Sequence, residues 1–322
     1  MLKRLPVVYS PEFKYHRTSP QHPENPKRLE VIIQRLKEGI LGQIVEFFEP
    51  DPAPLEWVKE VHDINYLLRF EEACLRGRSF ICGKENEICY DTYEIAFLAA
   101  GAVIDAVELV EKGEKFIFCP VRPPGHHAES YTALGFCFLN NIAIAARYWQ
   151  KKYGRRIMII DWDAHHGNGI QNIFYEDDQV FYISIHENPR FSFPGTGLAE
   201  ERGRGRGEGY TLNIPLPLDS GDVQFVDAFI EQIEPVVKEF KPDGLIIAAG
   251  FDAHQDDDMA YLNVTTAGFA EVSEIVRSWR EEFDFPVISV LEGGYNLEIL
   301  PTCVAVHLKA MLDIEAEDPE DF

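Results

Sequence analysis

The chain has 322 residues, 46% hydrophobic and 26% charged, an ordinary globular composition with enough length to bury a large core. Its formal net charge of −24 argues against direct nucleic-acid binding, which needs a cationic face for phosphates, and favours cationic partners such as basic peptides, polyamines or metal ions. No apolar stretch approaches the ~20 residues that span a bilayer, so no membrane partner is expected. In chain order, short apolar runs without alternation at 5–9, 116–119, 157–160, 180–185, 245–249 and 287–291 predict strands buried on both faces. Helical periodicity at 28–38, 93–112, 140–153, 223–240 and 265–283 fills the spaces between them. Strand alternating with helix implies an α/β protein whose predominantly parallel sheet is sandwiched between α-helices. One domain over residues 1–312 is expected, with a frayed acidic tail at 313–322.

Six cysteines (Cys74, Cys82, Cys89, Cys119, Cys137, Cys303) form no CxxC pair, and the start of the chain lacks a signal-peptide pattern. They read as reduced thiols in a cytoplasmic protein. The glycine-rich 202–209 has no lysine and no strand-to-helix setting, so it reads as a surface loop, not a phosphate loop.

Directly after the run at 157–160 stands Asp161-Trp162-Asp163-Ala164-His165-His166-Gly167-Asn168-Gly169. Asp163 and His165 are two apart, so an extended backbone leaving a strand end would turn both to one side. Carboxylate beside imidazole suits Zn²⁺, with Fe²⁺, Mn²⁺ or Co²⁺ as alternatives. A helix-capping role is the competing reading. Asp252, after the run at 245–249, is the candidate third ligand; three protein ligands leave a position open, as in a catalytic zinc site.

Pro123-Pro124-Gly125-His126-His127 places two imidazoles on a turn, where a histidine could take a proton from water and return it to a leaving group. Asp161 and Asn168 could orient them, Asp161 for His126 and Asn168 for His127. His186 follows the run at 180–185 and completes the set of polar groups expected at strand ends, where such sheets hold ligands. Tyr295, in a Gly-Gly-Tyr turn after the last strand, could donate to an oxyanion. Gly135-Phe136 and Phe193 could wall a narrow tube for an aliphatic chain, or be simple core.

Together these segments resemble the histone deacetylase superfamily, which also holds acetoin-utilisation proteins and acetylpolyamine amidohydrolases. The resemblance runs from Tyr9 to about Leu308 and adds His22-Pro23-Glu24-Asn25-Pro26-Lys27-Arg28-Leu29 and Val61-His62-Asp63 to the motifs above. It implies the arginase/deacetylase fold. It also implies zinc on Asp163, His165 and Asp252, His127 as general base with His126 as its electrostatic or acid partner, Tyr295 as oxyanion donor, and Phe136 with Phe193 as tunnel walls. Two structural potassium sites are implied, one on Asp161, Asp163, His165, Ser184 and Ile185, the other near Phe174, Asp177, Val180 and Tyr210. Asn168 and Glu292-Gly293-Gly294-Tyr295 resemble the class II-like branch.

The expected activity is removal of acetyl or short acyl groups from amines on aliphatic stems, with acetyl-lysine first and acetylpolyamines or small acylated metabolites second. Met259 stands where a polyamine-selective relative carries Glu, and Glu85, Glu87 and Asp91 are candidates for a rim carboxylate. A non-catalytic acyl-amine binding protein is the alternative of another class, and a homo-oligomer is a possible state. A ureohydrolase is disfavoured because His166-Gly167 follows Asp163-Ala164-His165 where a second metal would need a carboxylate.

Overall fold

The computed structural model describes residues 4–315. Residues 316–322, most of the expected acidic tail, lie outside it, as do 1–3. Eight strands form one sheet: β1 (Leu5–Val8), β2 (Val45–Phe48), β3 (Phe116–Cys119), β4 (Ile157–Asp161), β5 (Val180–Glu187), β6 (Thr211–Leu216), β7 (Gly244–Ala249) and β8 (Val287–Leu291). Their order is β2-β1-β3-β8-β7-β4-β5-β6, and every pair is parallel. This is the arginase/deacetylase architecture.

Helices cover both faces. The long helix Thr92–Glu111 and the helix Asn141–Tyr153 pack together on one side, where the Cys119 thiol of β3 reaches Ala102. The helices Thr266–Phe283 and Leu300–Met311 take the other side, where His307 lies edge-on to Phe116 and Trp162. His307 has both ring nitrogens 2.8 Å from hydroxyls, Ser273 on the neighbouring helix and Ser289 on β8, which ties this layer to the sheet. Burial lowers its pKa to about 3, so it packs as a neutral ring.

The two strands absent from the sequence reading, β2 and β6, are the two edges of the sheet. The helix expected at 223–240 is interrupted. Asp222–Asp227 and Glu234–Phe240 are α-helical, and Ala228–Ile233 between them is a π-helical turn.

Parallel strands bring all their carboxyl ends to one rim. The loops leaving β3, β8, β7 and β4, four consecutive strands at the centre of the sheet, carry the His126-His127 pair, Glu292 to Tyr295, Asp252, and Asp161 to Asn168.

Candidate metal and acyl-amine site

The strand β4 ends at Asp161, and the backbone through 163–165 is bent, not extended. The two side chains share a side because each carboxylate closes a local turn: Asp161 Oδ1 accepts the Asp163 N–H (3.2 Å), and Asp163 Oδ1 accepts the His165 N–H (3.0 Å). Asp163, His165 and Asp252 are buried, and their ligand atoms lie within 4.8 Å of one another. His165 Nε2 donates to the Met259 carbonyl at 3.2 Å, which leaves its Nδ1 lone pair facing Asp252 (3.0 Å) and Asp163 (3.2 Å). Two buried carboxylates share this one nitrogen and, against the cost of burial, hold the His165 pKa well above its ordinary value, so a divalent ion can take the place of the proton between them and the donor set fits one. Burial, with Asp163 beside it, pushes Asp252 up to about 6, a second sign of excess negative charge.

Two glycines make room for these carboxylates. A Cβ at Gly250 would lie 2.2 Å from Asp163 Oδ2 and 2.6 Å from Asp163 Cα, and one at Gly293 would lie 2.5 Å from both Asp163 Oδ2 and Asp252 Oδ2. The Gly293 N–H also holds Asp163 Oδ2 at 2.8 Å. Gly250→Ala is therefore expected to weaken metal binding by about 10–100-fold, the usual loss when a group that orients a ligand is displaced. Equilibrium dialysis of stripped protein against graded zinc would measure it, and an unchanged affinity would show that Asp163 can shift freely.

The histidine pair sits on the turn after β3, the rings 3.9 Å apart. His126 Nδ1 is 3.1 Å from Asp161 Oδ2, which also accepts the Tyr182 hydroxyl at 3.0 Å. His127 Nδ1 donates to Asn168 Oδ1 at 2.8 Å; Asn168 is fixed in that orientation because its amide donates to Glu129 at 2.7 Å. Their environments drive the two apart. Burial disfavours charge on both, yet Asp163 and Asp161 push His126 up to about 10, while the neighbouring His126 and His165 hold His127 well below its ordinary value. With its Nδ1–H given to Asn168, His127 in its favoured neutral form leaves an Nε2 lone pair, while the two aspartates favour the cationic form of His126.

Tyr295, His127, His165, Gly135, Phe136, Phe193, Met259 and Glu85 line one cavity of about 150 Å³. Burial keeps the Tyr295 phenol protonated, its pKa well above the ordinary value. Its ring is edge-on to Phe136 at 5.9 Å and lies under the Arg28 guanidinium at 4.8 Å. Phe193 stands edge-on to His127 at 4.9 Å. Of the three rim candidates, Glu85 alone lines this cavity; Glu87 is turned to Ser19 and Asp91 to Arg17.

Several expected groups lie apart. His186 is inside β5 and bonds Ser184 Oγ (2.8 Å) and the Gly197 carbonyl (2.9 Å), so it braces the strand and does not join the site. The first potassium set is contiguous, because Asp161 and Ser184 are register partners. In the second, Asp177 pairs with Arg147, and the Tyr210 carbonyl takes the Tyr182 N–H at 3.0 Å.

Sequence reasoning missed Tyr182 and Glu129, which support the histidine dyads, and Asp257. Asp257 is buried and accepts the N–H groups of Tyr295 (2.6 Å), Asn296 (3.0 Å) and Met259 (3.1 Å), joining the Tyr295 turn to the rim. Its signal in the sequence is the acidic run Asp256-Asp257-Asp258 just after His254.

Residues 22–311 match the histone deacetylase domain. The chain is 43% identical to a probable deacetylase of Archaeoglobus fulgidus over 98% of its own length and 89% of the relative's. It is 38% identical to histone deacetylase 10, chloroplastic, of Oryza sativa, over 97% of this chain and 74% of that one. The crystal structure of the HDA15 HD domain superposes with a TM-score of 0.90 at 30% identity, covering 100% of this chain and 92% of the other. The chain belongs to the histone deacetylase family. Its chemistry is accordingly that of a deacetylase acting on an acylated amine. No helix among the described residues is long and apolar enough to cross a membrane.

Proposed function

We propose that this protein is a zinc-dependent deacetylase that hydrolyses the amide of an acyl group on an aliphatic amine, acetyl-lysine in peptides or proteins first of all. The observation that carries this is the convergence, on one 150 Å³ cavity, of His165 from the ligand triad with His127, Tyr295, Phe136 and Phe193. Asp163, His165 and Asp252 would hold the ion, Zn²⁺ in preference to Fe²⁺. Bound there, it would supply Lewis-acid polarisation of the acyl carbonyl and acidify the attacking water.

The chain's own groups do the rest. His127, neutral and oriented by Asn168, accepts the proton of that water through Nε2. His126, held cationic against Asp161, stabilises the developing negative charge and supplies a proton toward the departing amine. The Tyr295 hydroxyl donates to the oxyanion. Phe136 and Phe193 enclose a methylene stem and exclude water from it. Structural potassium is proposed on the Asp161, Asp163, His165, Ser184 and Ile185 set and on the Phe174, Asp177, Val180 and Tyr210 set. The six cysteines are free, which supports a reducing compartment such as the cytoplasm.

Glu85 at the cavity mouth favours a second reading, an acetylpolyamine substrate whose onward nitrogens are cationic. Turnover of an acetyl-lysine peptide, free acetyl-lysine, acetylputrescine and acetylspermidine by metal-verified protein, with Asp252→Ala as control, decides between them. The peptide is expected to lead, and chelation or Asp252→Ala to abolish turnover. Silence across the panel with zinc bound would replace catalysis with acyl-amine binding.

A further inference from the structure

We propose that His126, Cys137 and Glu292 form a second zinc site, whose occupation switches the enzyme off when zinc exceeds the need of the first. All three are buried, and their ligand atoms lie within 4.8 Å of one another; the group shares no residue with Asp163, His165 and Asp252 but borders them, His126 Nε2 lying 3.8 Å from Asp163 Oδ1. The inhibitory half of the proposal rests on the deacetylase reading; the binding half does not.

Glu292 supplies the independent observation. Its Oε2 accepts the N–H groups of Gly125 (2.8 Å) and His126 (3.1 Å), while its fully buried Oε1 has no hydrogen-bond partner. A buried carboxylate oxygen without a partner is costly, and a cation is one of the few things that satisfies it. His126 is set up to join it. With Nδ1–H committed to Asp161, Nε2 can offer a lone pair, the carboxylate–histidine–metal arrangement that fixes ring and tautomer. The Cys137 thiol now bonds the Gly135 carbonyl at 3.3 Å.

On zinc binding the thiol and His126 Nε2 each release a proton to solvent, and sulfur, nitrogen and oxygen each give a lone pair; no redox change occurs. Thiolate, imidazole and carboxylate are a zinc donor set, unsuited to potassium or magnesium. Gly135 and Phe136, beside Cys137 in the chain, line the substrate cavity, so the group lies directly behind that stretch of the cavity wall. An occupied Nε2 carries no proton, so turnover should fall by about 10²-fold or more, the low end of what a positioned proton-transfer group contributes.

The test titrates stripped wild type, Cys137→Ser and Glu292→Gln with Zn²⁺ alone, following stoichiometry by equilibrium dialysis and turnover in parallel, and repeats the titration with Co²⁺. Wild type is expected to bind two ions, gaining activity with the first and losing about 10²-fold with the second. Both variants should bind one, and Cys137→Ser should keep the turnover of singly loaded wild type at excess zinc. Cobalt in wild type should give a thiolate charge-transfer band with the second equivalent, a readout that needs no variant. One ion in wild type, no such band, or two ions in Cys137→Ser would overturn the second site. Two ions in wild type and one in the variants, with no acylamine hydrolysed at any loading, would leave the site standing and remove the deacetylase reading.

Discussion

Tyr295→Phe is expected to fold, to bind one catalytic equivalent of zinc as wild type does, and to lose about 10²–10³ in turnover, the usual cost of one oxyanion donor. The substitution removes only the hydroxyl. The ring keeps its edge contact with Phe136 and its place under Arg28, and the turn keeps its backbone bonds to Asp257, which involve the Tyr295 and Asn296 amides and not the side chain. Because the donor acts on charge that develops during reaction, the loss should fall on kcat with little change in KM. Turnover near wild type, with zinc content verified, would take Tyr295 out of the chemistry and assign the oxyanion to another donor.

The largest effect on stability is expected at Glu24. Its Oε1 lies 2.6 Å from Arg122 Nε and 3.2 Å from Arg28 Nη1, its Oε2 lies 3.5 Å from His16 Nε2, and the glutamate and both arginines are fully buried. Glu24→Ala leaves two guanidinium charges without their counter-ion, which should cost about 3–5 kcal/mol in denaturant unfolding. Arg28 also donates to the carbonyls of Gly294 (2.6 Å) and Glu292 (2.5 Å), so the damage should reach the Tyr295 turn and lower activity as well.

Burial would raise the Glu24 carboxyl, but Arg122, His16 and Arg28 hold it well below the usual carboxylate range. A depressed folded value means that the contribution is complete above pH ~4 and is lost as pH falls through the folded value. The alanine variant should therefore lose stability less steeply than wild type on acidification. Equal acid limbs in the two proteins, followed by circular dichroism, would show that the network is not held together by charge.

How much of this was legible follows from where each residue sits. The interior strands announce themselves because burial on both faces demands an apolar run, as in Phe-Ile-Phe-Cys of β3 or Ile-Met-Ile-Ile of β4. The edges do not: Val-Glu-Phe-Phe of β2 is half-exposed throughout, and in Thr-Leu-Asn-Ile-Pro-Leu of β6 the polar Thr211 and Asn213 and then Pro215 break up the apolar residues. Leu300–Met311 was missed for the opposite reason, since ten of its twelve residues are buried and no polar stripe marks a helical period. The site's chemistry was readable where residue types are rare and clustered, as in Asp161 to Asn168. Its supports were not, because Tyr182, Glu129 and Asp257 act through pairings set by the sheet and carry no local pattern. Glu24 and Arg28 were visible as a motif, yet nothing in the sequence shows that they neutralise each other 266 residues away from the glycine turn that Arg28 holds.

The strand order has a consequence for how the molecule comes into being. β8, the last in chain order of the eight described strands, lies between β3 and β7, so until it is inserted the sheet exists as two separate pieces with two raw inner edges. His126 and His127 belong to one piece, and Asp163, His165 and Asp252 to the other. A nascent chain emerged only as far as the β7 loop therefore holds Asp163, His165 and Asp252 apart from the histidine pair, and exposes two hydrogen-bonding edges that invite aggregation. Residues 287–295, β8 and the turn after it, both seal the sheet and bring the two groups of residues into register, which makes the insertion of β8, not the growth of the core, the event that assembles the site.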